Sequence, residues 1–173
     1  MLQGGSYEVV SESPLSRMVT KVDVCLKKWL PNDKFLRRRL TVDSPKVPRL
    51  YALPKIHKPG DKMRLINSNR SAPTENLAKW LVSKFEKLNP PEGLSVKNTV
   101  EFVDKVKDTF IRPNDILASF DVESLYPSIP VGEALDLLRV WLAEQDLPVE
   151  EQEMYHELTT VCMSQNYFQF NSA

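Results

Sequence analysis

An aspartate ending a short apolar run, with a tyrosine five residues later, is a pattern able to hold a divalent metal for phosphoryl transfer. Residues 119–130 read SFDVESLYPSIP. Residues 115–122 (DILASFDV) have the length and bounded apolar character of a buried strand, which would carry Asp121 into a cleft. A carboxylate is a hard oxygen ligand suited to Mg²⁺, an ion that usually also takes substrate phosphates. Two such ions about 4 Å apart would clamp the attacking and leaving oxygens of the transfer, and one aspartate is not enough to hold both. An arbitrary aspartate more often caps a turn or pairs with a lysine. Here Ile116, Leu117, Phe120 and Val122 surround Asp121, and burying a carboxylate among them is costly unless it is paired or metal-bound. Tyr126 by itself is more often a core aromatic than a substrate contact.

A second chemical signal is basic. Residues 49–66 (RLYALPKIHKPGDKMRLI) concentrate Lys55, His57, Lys58, Lys62 and Arg64 around one tight turn, where they would surround a triphosphate or a template backbone. Arg64 offers phosphate a planar fork of donors and Lys55 a point charge. The plainer alternative is a solubilising hairpin tip, and His57, with no paired ligand, is read as structural or exposed. Asn67, Ser68, Asn69 and Arg70 follow and would add hydrogen bonds to a nucleic-acid backbone, although ordinary loop polarity explains them equally well.

The 173 residues are 42% hydrophobic and 27% charged, enough to bury a core and too apolar for a disordered chain. Net charge is zero but segregated. Residues 1–70 carry 15 Lys and Arg against 6 Asp and Glu, a net of +9, and residues 71–173 carry 8 against 17, a net of −9. The basic half, with Arg37, Arg38 and Arg39 in succession, reads as a nucleic-acid face. Cys25 and Cys162 lack the spacing of a metal site or a disulfide framework and are expected to be reduced core thiols. No apolar run approaches the roughly 18 residues that cross a bilayer, and the first residues lack the pattern of a signal peptide. The expectation is a soluble intracellular protein, nuclear or cytoplasmic, without membrane partners.

The elements that must position these groups are mostly helical. Apolar spacing predicts helices over 17–30, 32–40, 74–88, 98–110, 131–145 and 148–164, with Thr74 as an N-cap and Val100, Val103, Val106 and Phe110 facing inward. Strands are expected over 49–56 and 62–67, joined by a turn in which Pro59 presets the backbone and Gly60 takes positive φ. Further strands are expected over 115–122 and 167–170.

The segments YALPKIHKPGDKMRLI, APTENLAKWL, VKNTVEFVDKV, LASFDVESLYPSIPVGEAL and NYFQFN, in that order, resemble the fingers and first palm segment of reverse transcriptases from Penelope-like retroelements. The resemblance runs from about Arg49 to Asn171. It implies an RNA-directed DNA polymerase with an α+β, partial right-hand fold, helices packed on a small antiparallel sheet. Residues 1–48 would form a basic helical region, 49–114 the fingers and 115–173 the start of the palm. Asp121 would be the first catalytic, metal-binding aspartate, with the Val122 carbonyl as a further Mg²⁺ ligand. Tyr126 would pack under the incoming sugar, and Lys55 and Arg64 would hold the nucleotide. Arg37, Arg38, Arg39, Lys58, Lys62 and Arg70 are the expected nucleic-acid contacts. The implied partners are an RNA template, a DNA primer and deoxynucleoside triphosphates.

Two local departures, Leu65 where the family commonly has proline and Ala52 where it often has glycine, bear on the turn geometry. The larger departure is that the glycine-rich segment, the paired aspartates and the thumb do not appear before Ala173. The chain is accordingly expected to be a fragment or degenerate copy, inactive alone and prone to self-association through unpaired palm surface. The alternative is a non-catalytic nucleic-acid-binding remnant of the fingers.

Overall fold

A computed structural model describes residues 8–54, 63–90, 96–122 and 125–170. Two compact units emerge, Met1–Leu88 with Val131–Ala173, and Asn89–Pro130.

The larger unit is built around helices. Helix α1 (Leu15–Trp29) buries Met18, Val22, Cys25 and Leu26, which share one face at spacings of three and four. Pro14 precedes it, where a missing N–H costs little because first-turn amides have no intrahelical acceptor. Pro31 disfavours helical backbone at Leu30 and so ends it. Helix α2 (Lys34–Leu40) is capped by Asp33, whose carboxylate accepts from the Leu36 N–H at 2.8 Å. Helix α3 (Glu75–Phe85) buries Leu77 and Leu81, α6 (Val131–Ala143) buries Leu142, and α7 (Val149–Met163) buries Tyr155 and Leu158. Helix α7 packs against α1, α3 and α6, while α2 packs on α3.

These side chains form one apolar core, joined by Trp80, Phe85, Trp141 and Cys162 at its margin. Phe85 meets Trp141 and Tyr155 edge-on at centroid separations of 5.6 and 5.9 Å, the arrangement ring quadrupoles favour. Thr74 occupies the N-cap position of α3 as expected, but its side chain makes no capping bond. Glu75 does related work: its carboxylate accepts from the Ser71 N–H at 2.6 Å and pairs with Lys79 at 2.7 Å.

Strands β1 (Arg49–Pro54) and β2 (Met63–Ser68) pair antiparallel, with Arg49 opposite Ser68 and Pro54 opposite Met63. The mixed helix and two-stranded sheet is an α+β arrangement. Among the described residues, however, the helices pack chiefly on one another rather than on the sheet. No residue of either strand is buried, and Tyr51, Leu53, Met63 and Leu65 are all exposed. Both faces of the hairpin carry apolar side chains, so neither forms the single stripe that would dock on a helix, and the helices satisfy one another instead. The expected strand over 167–170 is reduced to one parallel bridge between Gln169 and Arg49. It is held by Leu50 N–H to the Gln169 carbonyl (3.0 Å) and Gln169 N–H to the Pro48 carbonyl (2.7 Å).

In the smaller unit, helix α4 (Thr99–Val106) starts at Asn98, whose side chain accepts from the Glu101 N–H at 3.0 Å. The Glu101 carboxylate in turn accepts from the Lys97 N–H at 2.6 Å, a reciprocal cap. No residue of α4 is buried. Val100, Val103, Val106 and Phe110, expected to face inward, are exposed, because nothing among the described residues of their own unit covers that stripe. The short helix α5 spans Leu125–Ser128.

Candidate metal and nucleic-acid sites

Asp121 does not ride on a strand. Residues 115–122 have no regular secondary structure, and Ile116, Leu117 and Phe120 are each at least 90% exposed. A strand exists only when its N–H and C=O groups find a neighbouring backbone, and among the described residues none pairs with this segment. An apolar run alone therefore does not make a strand here. The segment begins at a turn in which the Asp115 carboxylate accepts from the Arg112 N–H at 2.8 Å and the Asp115 N–H donates to the Arg112 carbonyl at 3.0 Å.

Asp121 and Val122 are both exposed, and Tyr126 falls in α5. No group of three or more His, Cys, Asp or Glu side chains converges among the described residues. The Asp121 carboxylate and the Val122 carbonyl are the hard oxygen donors that Mg²⁺ prefers, but two adjacent donors fall short of the octahedral set it requires.

The basic candidates lie in the larger unit. Arg37, Arg38 and Arg39 fill the last turn of α2, with Arg38 and Arg39 exposed and the Arg39 guanidinium 5.8 Å from the Phe35 ring centroid. Three cations at a helix C-terminus are also favoured by the helix dipole, so their position has a structural reason independent of any ligand. Arg64 is exposed on β2 opposite Leu53. Lys55, His57, Lys58 and Lys62, with the turn that joins the strands, lie outside the described residues.

Arg70 belongs to a constellation the sequence did not reveal. A pocket of about 380 Å³ is lined by Lys46, Val47, Arg49, Ser68, Arg70 and Ser71. Lys46 and Arg49 sit in a proline-broken connector and at a strand start, positions that carry no periodic or motif signal. Only the pairing of Arg49 with Ser68, and the Lys46 N–H bond to the Ser71 carbonyl at 2.7 Å, bring them to Arg70. Ser71 holds a left-handed backbone (φ 60°), a conformation a serine adopts only when its surroundings impose it.

The other polar centre ties α1 to α7. Glu157 accepts from Lys28, from the Trp29 indole N–H at 2.9 Å and from the Cys25 thiol at 3.8 Å. The bonded Lys28 ammonium holds its carboxyl below the ordinary carboxylate range, with the indole and thiol donors acting in the same sense against partial burial. Burial, with the Glu157 charge, pushes the Cys25 thiol up to about 11, and burial pushes Cys162 up to about 12. Both thiols are free. No described helix is long and apolar enough to cross a membrane.

No protein-family model matches the chain, nor does any curated protein or solved structure.

Proposed function

We propose that the chain is the fingers and first palm segment of an RNA-directed DNA polymerase of a retrotransposon. The observation that carries this function is the ordered series of five sequence segments between Arg49 and Asn171, with SFDVESLYPSIP fourth among them. A two-stranded antiparallel hairpin bearing Arg64 is compatible with a fingers role. In this function Asp121 supplies the first carboxylate and Val122 a carbonyl oxygen to Mg²⁺, which would offset the charge of the phosphates when bound. Arg64 and Lys55 neutralise the triphosphate, Tyr126 abuts the sugar, and Arg37 to Arg39 with Lys58, Lys62 and Arg70 hold template and primer. One carboxylate is not enough to hold two ions, so these 173 residues by themselves are expected to bind substrates without extending a primer.

A second function, nucleic-acid binding without chemistry, is favoured by the +9 net charge of residues 1–70. Fluorescence anisotropy with a labelled RNA–DNA template-primer tests the shared premise. Binding is expected at low salt and should weaken steeply as salt rises, as counterion release requires. Absence of binding at low salt would exclude both functions.

A further inference from the structure

The pocket at the base of the hairpin collects three cations, Lys46 and Arg49 from one stretch of chain and Arg70 from another. Among the described residues none of the three is within ion-pairing distance of a carboxylate, and no acidic side chain lines the pocket. The nearby Glu75 carboxylate is bonded to the Ser71 N–H and to Lys79, and feels the Arg70 charge only at longer range. Like charges gathered in one concavity create a field that an anion relieves.

The pocket is also built. Arg49 is fixed by its register with Ser68 and, through its neighbour Leu50, by the bond to Gln169. Lys46 is tied by its backbone to Ser71, and the turn that contains Arg70 is closed by the Ala72 N–H on the Asn69 carbonyl at 3.1 Å. Guanidinium forks, an ammonium and the Ser68 and Ser71 hydroxyls form a donor set matched to a tetrahedral oxoanion. The volume is at the lower end of small-ligand pockets and suits a compact group.

We propose that this pocket binds a phosphate-class oxoanion carrying two or more charges, a terminal phosphate monoester or a pyrophosphate group. A multiply charged group answers three cations better than a single backbone phosphodiester does. The site shares Arg70 with the basic surface described above but needs neither Asp121 nor a bound nucleic-acid strand.

The test is a titration of the isotopically labelled full chain, followed by backbone amide shifts at constant ionic strength. Three probes are compared: inorganic pyrophosphate, a short oligonucleotide with a 5′ phosphate, and the same oligonucleotide with a 5′ hydroxyl. Pyrophosphate should give saturating shifts at Lys46, Arg49 and Ser71. Its affinity should fall at least tenfold in the Lys46→Gln/Arg49→Gln double variant and in Arg70→Gln alone, and stay unchanged in Lys27→Gln, an exposed lysine of α1 paired with Asp23. Arg70→Gln lies outside the bridge to Gln169, so it reports even if the double variant loosens the hairpin. Preference for the 5′-phosphorylated strand would identify a strand end as the source, and equal binding of the two strands would identify a free oxoanion. Pyrophosphate shifts that never saturate, or that are equally strong in both pocket variants, would overturn the proposal, whether or not the chain binds template-primer.

Discussion

At the scale of single residues, Glu157 is the most connected polar group of the core margin, drawing donors from Cys25, Lys28 and Trp29 on one stretch of α1. Its side chain is more than a third exposed, so solvent screening limits its worth. Glu157→Gln should cost about 1 kcal/mol at neutral pH. Because the folded-state pKa is depressed below 4.5, the stabilisation is complete above that value and is lost as pH falls through the folded value. Urea titrations should therefore find the gap between parent and variant at neutral pH and see it close in acid. Leu158 is fully buried beside it, and Leu158→Ala should cost about 2–5 kcal/mol in the same measurement. The raised thiol values of Cys25 and Cys162 predict slow alkylation of the folded chain at mildly basic pH, and fast alkylation once it is unfolded. Residue identity told which side chains enter the core but not which cations gather: Arg70 was legible as a candidate, whereas Lys46 and Arg49 become partners only through hairpin register.

At the scale of elements, what was legible follows from how much of each signal is local. The apolar spacing over α1, α3, α6 and α7 foretold the helices, because a helix satisfies its own backbone and needs only one partner for its stripe. The hairpin was legible because its two apolar runs flank proline and glycine. Residues 115–122 were not, since the same apolar run serves a strand only where a second backbone pairs with it. The α4 stripe was read correctly as helical and wrongly as inward for the same reason. Amides of Leu117, Phe120 and Val122 should accordingly exchange with solvent with little protection, while those of Leu26, Leu81 and Leu158 exchange only through large-scale opening. Protection of residues 116–122 comparable to the helices would mean that a paired strand forms there after all.

At the scale of the whole molecule, charge segregation was the clearest property of the sequence, and the larger unit holds Arg37 to Arg39, Arg64 and the Lys46, Arg49, Arg70 pocket. If the exposed α2 arginines contact phosphates, the Arg38→Gln/Arg39→Gln double variant should lower the slope of log affinity against log salt by about 2. An unchanged slope would remove α2 from the interface. The polymerase assignment itself turns on Asp121, and its most direct measurement is primer extension on an RNA template by the product of the native reading frame, compared with its Asp121→Asn variant. Incorporation of deoxynucleotides that requires Mg²⁺, and falls at least about 100-fold in the variant, is the predicted result. No incorporation by the parent, or equal incorporation by the variant, would contradict it.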